Sequence, residues 1–295
     1  MSARELAAIR RALAAGAPPM DVAPAEARAA YSAMMAERAV APDLRFEVVD
    51  VGGARGLWSH APGAADDRVV LHLHGGGFVV GSAWDTRALT GEVARASGAA
   101  GLAIDYALAP EHPFPAGLDD CLAAYSGLID RGFEAGSIAV AGDSAGGGLA
   151  ISLLAAIRDA GLPQPAAAAV FSPWVDLACE GGSMRTKAAV DPLVAREGLL
   201  AMANLYAGDA LAEASPLDAD LSALPPLLIQ VGSAEVLLDD AIRLAEEAGA
   251  SGSAVTLEIW PDMIHVWQGY AAELGEAQQA IAAAGAFIAG RLGRG

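Results

Sequence analysis

The sequence has few cysteines, few basic residues and no long hydrophobic run. Its only two cysteines, Cys121 and Cys179, lie far apart in apolar stretches, so neither a disulfide framework nor a zinc site is expected. Eighteen Lys and Arg residues against 36 Asp and Glu residues give a formal net charge of −18, which repels nucleic acid and anionic lipid surfaces. Although 54% of the 295 residues are hydrophobic, no apolar stretch reaches the ~18 residues of a membrane span.

The amino-terminal segment has the pattern of two helices. It lacks the continuous apolar core and cleavage site of a secretory signal, so we expect a cytoplasmic protein. Apolar residues recur at three- and four-residue spacing on either side of a break at residues 17–19. They are Leu6, Ile9 and Leu13 before the break, and Tyr31, Met34 and Met35 after it. We predict that residues 1–42 form helices that precede the first strand.

Residues 43–295 have the pattern of one α/β domain. An alternating run from Leu44, a Gly52-Gly53 turn and a short apolar run at 57–59 predict an antiparallel hairpin. Apolar runs then alternate with segments of helix length, which favours a mostly parallel sheet with helices on both faces. The predicted strands are Val69–Leu73, Gly101–Ile104, Ser137–Ala141, Ala166–Phe171, Leu227–Val231 and Val255–Trp260.

One interval, at about residues 174–222, is too long for a simple connection between strands and contains its own helical pattern around Leu193–Leu205. We interpret it as an insertion. Together with residues 1–42 it is expected to form a helical cap over the carboxyl edge of the sheet, where open α/β sheets bind ligands.

The most informative segment is Gly-Asp-Ser-Ala-Gly at residues 142–146, where a strand runs into a helix. This is the G-x-S-x-G pattern of a nucleophile elbow, which exposes its serine, here Ser144, on a strained turn. Gly142 and Gly146 are expected where a Cβ atom would clash, and Asp143 is expected to support the turn. A glycine-rich turn of this kind could equally bind phosphate.

Three consecutive glycines, residues 75–77, follow the strand Val69–Leu73. Such a loop can direct backbone N–H groups into a cavity. In hydrolases of this fold it supplies one part of an oxyanion hole, and the N–H group after the nucleophile, here that of Ala145, supplies the other. We expect His74 to hydrogen-bond the backbone and so to shape this loop.

A nucleophilic serine needs a base, and the chain contains five histidines. Only His265 follows Ser144, as the order serine, acid, histidine requires. It lies in the loop after the last predicted strand, from which it could reach back over the sheet edge. His72 is expected to be a packed core residue, and His60 and His112 are expected to lie in loops.

Three carboxylates compete for the role of acid: Glu235, Asp239 and Asp240. Glu235 lies in the turn just past the strand Leu227–Val231, whereas the other two fall one turn into the following helix. The loop position favours Glu235 as the acid. Asp239 could help to orient Glu235 without itself contacting the substrate.

Together these motifs resemble the hormone-sensitive-lipase family of bacterial carboxylesterases, also called family IV. The similar segments are His74–Phe78, Asp105–Ala116, Gly142–Gly147 and Ser172–Leu177, followed by the acid and histidine segments. They occur in the family's order from about residue 70 to residue 270. Two positions depart from the usual pattern: Glu235-Val-Leu replaces a common Asp-Pro-Leu, and Ala107 replaces an arginine.

The resemblance implies an α/β-hydrolase fold with a helical cap, and hydrolysis of carboxylic esters without a metal or organic cofactor. His265 would take the proton of Ser144, and Glu235 would orient the imidazole. The N–H groups of Gly76, Gly77 and Ala145 would hold the oxyanion, while Gly75 would shape the loop. Activity is expected to fall on the acid side near an ordinary histidine pKa of ~6.5.

The substrate is expected to be a small ester with a short to medium acyl chain. Lactone or amide hydrolysis with the same triad, and ligand binding without catalysis, are the alternatives. A compact apolar pocket is predicted from Phe78, Trp84, Tyr206 and Trp267. The last strand, around Leu257, is expected at the sheet edge, where it could pair with a second copy in a homodimer.

Overall fold

The computed structural model describes residues 3–16 and 22–293. Eight strands form one sheet: β1 (Arg45–Val51), β2 (Ala54–His60), β3 (Ala65–Leu73), β4 (Ala99–Ile104), β5 (Ile138–Asp143), β6 (Ala167–Phe171), β7 (Leu227–Gly232) and β8 (Val255–Trp260). Their order across the sheet is β1-β2-β4-β3-β5-β6-β7-β8. From β4 to β8 all neighbours are parallel, while β2 is antiparallel to both of its neighbours. The predicted hairpin and mostly parallel sheet are confirmed.

Helices precede and connect these strands: α1 (Ala3–Gly16), α2 (Pro24–Ala36), α3 (Arg87–Ser97), α4 (Ala116–Asp130), α5 (Ala145–Asp159), α6 (Ser183–Thr186), α7 (Arg196–Ala207), α8 (Leu211–Ala214), α9 (Leu238–Ala250) and α10 (Gly275–Ala289). The two helices predicted before β1 are therefore present. The predicted break at residues 17–19 lies outside the described residues. Three helices, the 12-residue α7 and the short α6 and α8, occupy the long segment between β6 and β7, where the sequence predicts an insertion.

The sheet is buried on both faces, which explains why its strands are continuous apolar runs. In β3, Val69 and Leu71 belong to the core on one face, whereas Val70 points into the core on the other. Helices α4, α5 and α9 supply side chains to the first core, and α3 and α10 supply them to the second. This layered arrangement confirms the predicted α/β architecture with helices on both faces of the sheet.

Other features of the chain also agree with the sequence. Gly52 and Gly53, in the β1–β2 turn, have φ angles of +63° and +87°, which glycine adopts readily. Cys121 and Cys179 are buried and free, and β8 forms one edge of the sheet. Within residues 3–16 and 22–293, no helix combines the length and apolarity needed to cross a membrane.

The carboxyl ends of the parallel strands meet along one edge of the sheet. The glycine loop follows β3, Ser144 follows β5, Glu235 follows β7 and His265 follows β8. The topology therefore brings together loops that are up to 190 residues apart in sequence, counted from Gly75 to His265 (265 − 75).

Candidate active site

Ser144 lies on a strained turn between β5 and α5. Its φ of 55° and ψ of −124° fall outside the regions that non-glycine residues usually adopt. A Cβ atom on Gly142 would lie 2.2 Å from the carbonyl oxygen of Gly146, and one on Gly146 would lie 2.1 Å from that of Leu73. Both glycines are therefore required by close backbone contacts, as the elbow motif predicts.

His265 links Ser144 to Glu235 through two hydrogen bonds. The Nε2 atom of His265 lies 2.9 Å from Ser144 Oγ, and its Nδ1 atom lies 2.9 Å from Glu235 Oε2. Because an ionised carboxylate only accepts hydrogen bonds, Nδ1 carries the proton. Nε2 is then the acceptor for the Ser144 hydroxyl. The structure thus brings together the three residues that the sequence selects.

Glu235 is fully buried at the far end of this chain of bonds. Its Oε1 accepts hydrogen bonds from Gly232 N at 2.6 Å and from Ser172 Oγ at 2.8 Å. Burial raises the pKa of Glu235 above its ordinary value, although its bond to His265 acts in the opposite direction. Three donors therefore hold the carboxylate in one orientation.

The pKa of His265 is raised above its ordinary value. Burial alone would lower it, because burial disfavours the imidazolium cation, but the hydrogen bond and negative charge of Glu235 outweigh this effect. The expectation of an unperturbed histidine is therefore wrong. The neutral imidazole, which can accept a proton, therefore becomes the main form only at a pH above the ordinary pKa of histidine.

The two competing carboxylates point elsewhere. Asp239 Oδ2 accepts a hydrogen bond from Ser183 N at 2.8 Å. Asp240 Oδ2 accepts from Val175 N at 3.0 Å and from Asp176 N at 2.9 Å. Both therefore anchor the segment between β6 and β7, and neither hydrogen-bonds to His265, so the predicted support from Asp239 is not found.

The glycine loop beside Ser144 forms a tight turn. Gly76 has a φ of +117° and Gly77 a φ of +61°, and Gly76 O accepts hydrogen bonds from Val79 N and Val80 N at 3.1 and 3.0 Å. In the described part of the chain, the N–H groups of Gly76, Gly77 and Ala145 have no acceptor. These three donors are therefore available to a ligand.

His74 holds the start of this loop. Its Nδ1 atom donates a hydrogen bond to Gly75 O at 2.8 Å, and its ring stacks on Tyr106 with a centroid distance of 4.2 Å. Tyr106 in turn donates from its hydroxyl to His74 O at 2.7 Å. Burial lowers the pKa of His74, which favours the neutral ring. The predicted role of His74 in shaping the loop agrees with these contacts.

Asp143 packs against the glycine loop and hydrogen-bonds to His72. His72 is fully buried, as predicted for a core residue, and its Nε2 atom lies 3.0 Å from Asp143 Oδ1. A Cβ atom on Gly75 would lie 2.3 Å from Asp143 Oδ2, so glycine is required there for the loop to pass over the carboxylate. The expectation that His60 lies in a loop is wrong, because His60 is the last residue of β2. The histidine that hydrogen-bonds to Ser144 is His265.

A cavity of about 290 Å³ opens beside Ser144 and His265. Its walls come from the glycine loop, the elbow, the His265 loop, α2, α3 and the segment between β6 and β7. The apolar residues that line it are Tyr31, Met34, Met35, Val80, Ala88, Leu89, Leu193, Val194, Ala195, Leu199, Met202 and Val266. The arrangement suits a small, mostly apolar ligand.

The predicted aromatic pocket is wrong for this cavity. Phe78 and Tyr206 are buried and stack on each other at a centroid distance of 3.9 Å, and Trp267 is buried against Trp260. Trp84 is 54% exposed on the surface. None of the four predicted residues is among those that line the cavity. Three of these rings contribute to the protein core and the fourth faces solvent.

Ser172 is a further residue of the site, which the motifs do not indicate. Its hydroxyl donates to Glu235 Oε1 and accepts from Val266 N at 3.1 Å, so it joins the acid loop to the histidine loop. Ser172 directly follows β6, the strand between β5 and β7. A polar residue at that strand end was the signal that could have found it.

Comparison with known proteins places these features in a family. The chain matches the family model described as alpha/beta hydrolase fold over residues 70–269. An acetyl-hydrolase of Streptomyces hygroscopicus is 47% identical over 252 residues, which are 84% of each chain. An esterase of Acinetobacter venetianus is 34% identical over 245 residues, which are 82% of this chain and 80% of the esterase.

Solved structures agree with these relatives. The crystal structure of an esterase from the bacterial hormone-sensitive lipase family has a TM-score of 0.96 and 43% identity, and the match covers 99% of this chain and 100% of that esterase. The family model, the ester hydrolases among the relatives and this structural similarity all lead to one conclusion. The chain belongs to the hormone-sensitive lipase family of α/β hydrolases and is a carboxylesterase.

Proposed function

We propose that Ser144, His265 and Glu235 form the catalytic triad of this carboxylesterase. The observation that carries the proposal is the unbroken chain of hydrogen bonds from Ser144 Oγ through the imidazole to Glu235, with 2.9 Å at each link. In this arrangement Nδ1 of His265 is already protonated, so Nε2 is free to remove the serine proton.

The proposed reaction proceeds through an acyl-enzyme. Ser144 Oγ attacks the ester carbonyl carbon as His265 Nε2 takes its proton. The resulting oxyanion accepts hydrogen bonds from the N–H groups of Gly76, Gly77 and Ala145. The bond to the leaving alkoxy oxygen then breaks, and the imidazolium protonates that oxygen. Water, deprotonated by His265, attacks the acyl-enzyme and releases the carboxylic acid and Ser144.

The substrate that we propose is an ester with a short to medium acyl chain, with acetyl esters as the first candidates. A volume of about 290 Å³ is at the small end of ligand pockets, which span roughly 300–1,000 Å³. The 47% identical relative is an acetyl-hydrolase, which favours the short end of the range. Residues 1–42 and about 174–222 are proposed as the cap of the catalytic domain 43–295, because α2 and α7 both line the cavity.

A p-nitrophenyl ester series from acetate to palmitate tests these proposals. The wild type would be measured beside Ser144→Ala, Glu235→Ala and, as a matched carboxylate control, Asp239→Ala. We expect activity on short chains that is abolished without Ser144, strongly reduced without Glu235 and largely retained without Asp239. Equal losses in the two carboxylate variants would contradict the choice of Glu235.

Trapping of the intermediate tests the covalent step directly. A sulfonyl fluoride should add its sulfonyl group to Ser144 Oγ with loss of fluoride, which mass spectrometry of the Ser144 peptide would detect. A protein that hydrolyses esters but is never labelled at Ser144 would contradict the acyl-enzyme. Lactones and anilides in the same assay would separate the alternative substrates that share this mechanism.

A further inference from the structure

Arg28, on α2, makes contacts that the proposed mechanism does not use. Its guanidinium donates from Nε to Val79 O and from Nη2 to Ala109 O, both at 2.9 Å. It also pairs with Glu111 through two hydrogen bonds of 3.0 and 2.6 Å. One side chain therefore joins the amino-terminal helix to two loops that are distant in sequence. Arg28 itself lies outside residues 70–269, the part of the chain that matches the family model.

The first of these loops carries two of the proposed oxyanion donors. Val79 belongs to the turn whose N–H groups bond to Gly76 O. Three successive residues of this turn have positive φ angles, 117° at Gly76, 61° at Gly77 and 64° at Phe78. A bulky residue such as phenylalanine adopts a positive φ only where surrounding contacts impose it. The direction of the two glycine N–H groups thus depends on contacts from outside the turn.

The second loop is one of those contacts. Ala109 N donates to Phe78 O at 2.9 Å, so the two loops are already joined at the strained residue. Arg28 bonds to the carbonyl oxygen of the residue after Phe78 and to that of Ala109 itself. Its guanidinium therefore holds both sides of the junction.

We propose that Arg28 is a positioning residue for the oxyanion hole, because its guanidinium holds the turn of Gly76 and Gly77 against the loop at Ala109. This inference rests on the proposed function of that turn. The planar guanidinium can reach two carbonyl oxygens and one carboxylate at once, which a lysine ammonium cannot do with the same geometry. The Arg28 partner also lowers the pKa of Glu111 to about 2, so this carboxylate stays ionised.

Arg28→Lys and Arg28→Ala test the inference. Loss of one oxyanion donor typically lowers kcat by a hundred- to a thousand-fold. We expect a misdirected turn to lower kcat for p-nitrophenyl acetate by roughly ten- to a hundred-fold, with KM changed less than about twofold. Binding of phenylboronic acid, whose tetrahedral adduct with Ser144 places an oxygen in the oxyanion hole, should weaken by the same factor as kcat.

Arg158 provides a matched control. Its guanidinium also donates to two backbone carbonyl oxygens, of Asp220 and Ser222, and pairs with Asp159. It is 21% exposed at its side chain, compared with 29% for Arg28. Arg158→Lys should lower the melting temperature about as much as Arg28→Lys while kcat and the affinity for phenylboronic acid stay unchanged.

The outcomes separate this inference from the proposed function. Full activity of Ser144→Ala would overturn the triad itself. An inactive Ser144→Ala together with wild-type kcat in folded Arg28→Lys would overturn only the role of Arg28, as would an equal loss of kcat in Arg158→Lys. If Arg28→Ala does not fold, the lysine variant decides the question.

Discussion

The buried imidazole of His265 determines how the activity should depend on pH. Its pKa is raised by Glu235 in spite of burial, and only the neutral form accepts the serine proton. We therefore expect kcat/KM to fall on the acid side with a midpoint above the ordinary value of ~6.5. The measurement is a profile of kcat/KM for p-nitrophenyl acetate from about pH 5 to about pH 8.5, the range that brackets an ordinary and a raised histidine pKa.

Glu235→Gln tests the cause of that shift. A neutral amide cannot stabilise the imidazolium, while burial continues to disfavour it, so the acid midpoint should move downward. The rate should also fall by roughly a thousand-fold or more, as when the acid of a similar triad is neutralised. Asp239→Asn is the control, because the Asp239 carboxylate bonds to Ser183 and not to His265. This variant should keep the wild-type midpoint. An unchanged midpoint in the glutamine variant would show that Glu235 does not raise the pKa of His265.

Asp240 is predicted to make the protein less stable as the pH rises. Burial raises its pKa to about 7, and its Oδ1 atom has no hydrogen-bond partner among the described residues. Between an unfolded pKa of ~3.9 and the folded value, the unfolded chain has lost a proton that the folded protein retains. The free energy of unfolding must therefore decrease through this range and then level off above the folded pKa.

Asp240→Asn removes this titration and keeps an acceptor for Val175 N and Asp176 N. We compare the free energy of unfolding of this variant with that of the wild type. The difference, variant minus wild type, should be larger at about pH 8 than at about pH 4 by up to about 4 kcal/mol. Urea unfolding at both ends of the range measures the difference. Asp67→Asn is the control, because Asp67 is 82% exposed at its side chain. A constant difference between wild type and Asp240→Asn would show that Asp240 does not titrate as described.

At the scale of whole elements, α2 and α7 restrict the cavity. Met34 on α2 and Met202 on α7 both line it, and a Cβ atom on Gly77 would lie 1.9 Å from Met202 Sδ. The Met202 side chain thus packs directly over the glycine loop. Its removal should lengthen the space available to an acyl chain.

Met202→Ala is therefore expected to favour longer acyl chains. One methylene in an apolar pocket changes kcat/KM by roughly 10- to 200-fold, so the ratio for octanoate over acetate should rise by about tenfold or more. Leu205→Ala is the matched control, because Leu205 lies on the same helix and is 39% exposed. A chain-length profile that is the same in both variants would contradict the role of α7 in selecting substrates.

The elements differ in how far the sequence could predict them. Strands such as β3 are continuous apolar runs because both faces of the sheet are buried, and the elbow at Ser144 depends on adjacent residues alone. The cavity wall depends instead on how α2 and α7 pack over the sheet. The sequence predicts a cap from these segments, but it does not show which of their side chains face Ser144. The aromatic residues Phe78 and Tyr206 are conspicuous in the sequence, but they stack inside the core. Two of the four hydrogen bonds of Arg28 go to backbone carbonyl oxygens, which every sequence contains.

At the scale of the whole molecule, the two edges of the sheet are β1 and β8. An edge strand exposes unpaired backbone groups that can pair with another chain. On β8, Ile259 is 45% exposed, although an exposed apolar side chain on an edge strand is normally avoided. On β1, Val48 is exposed as well, but this strand also carries the exposed charged residues Arg45, Glu47 and Asp50, which discourage pairing at that edge. We therefore expect β8 to pair with its counterpart in a second copy, which forms a homodimer around a twofold axis.

Light scattering coupled to gel filtration would measure the mass in solution. We expect twice the chain mass of 29.7 kDa for the wild type. Ile259→Lys should shift the equilibrium toward the monomer, because a charge would then face its own copy across the axis. Val48→Lys is the control at the opposite edge, since Val48 is 57% exposed on β1. Dissociation by Val48→Lys alone would move the interface to β1, and a wild type that is monomeric at every concentration would contradict pairing at either edge.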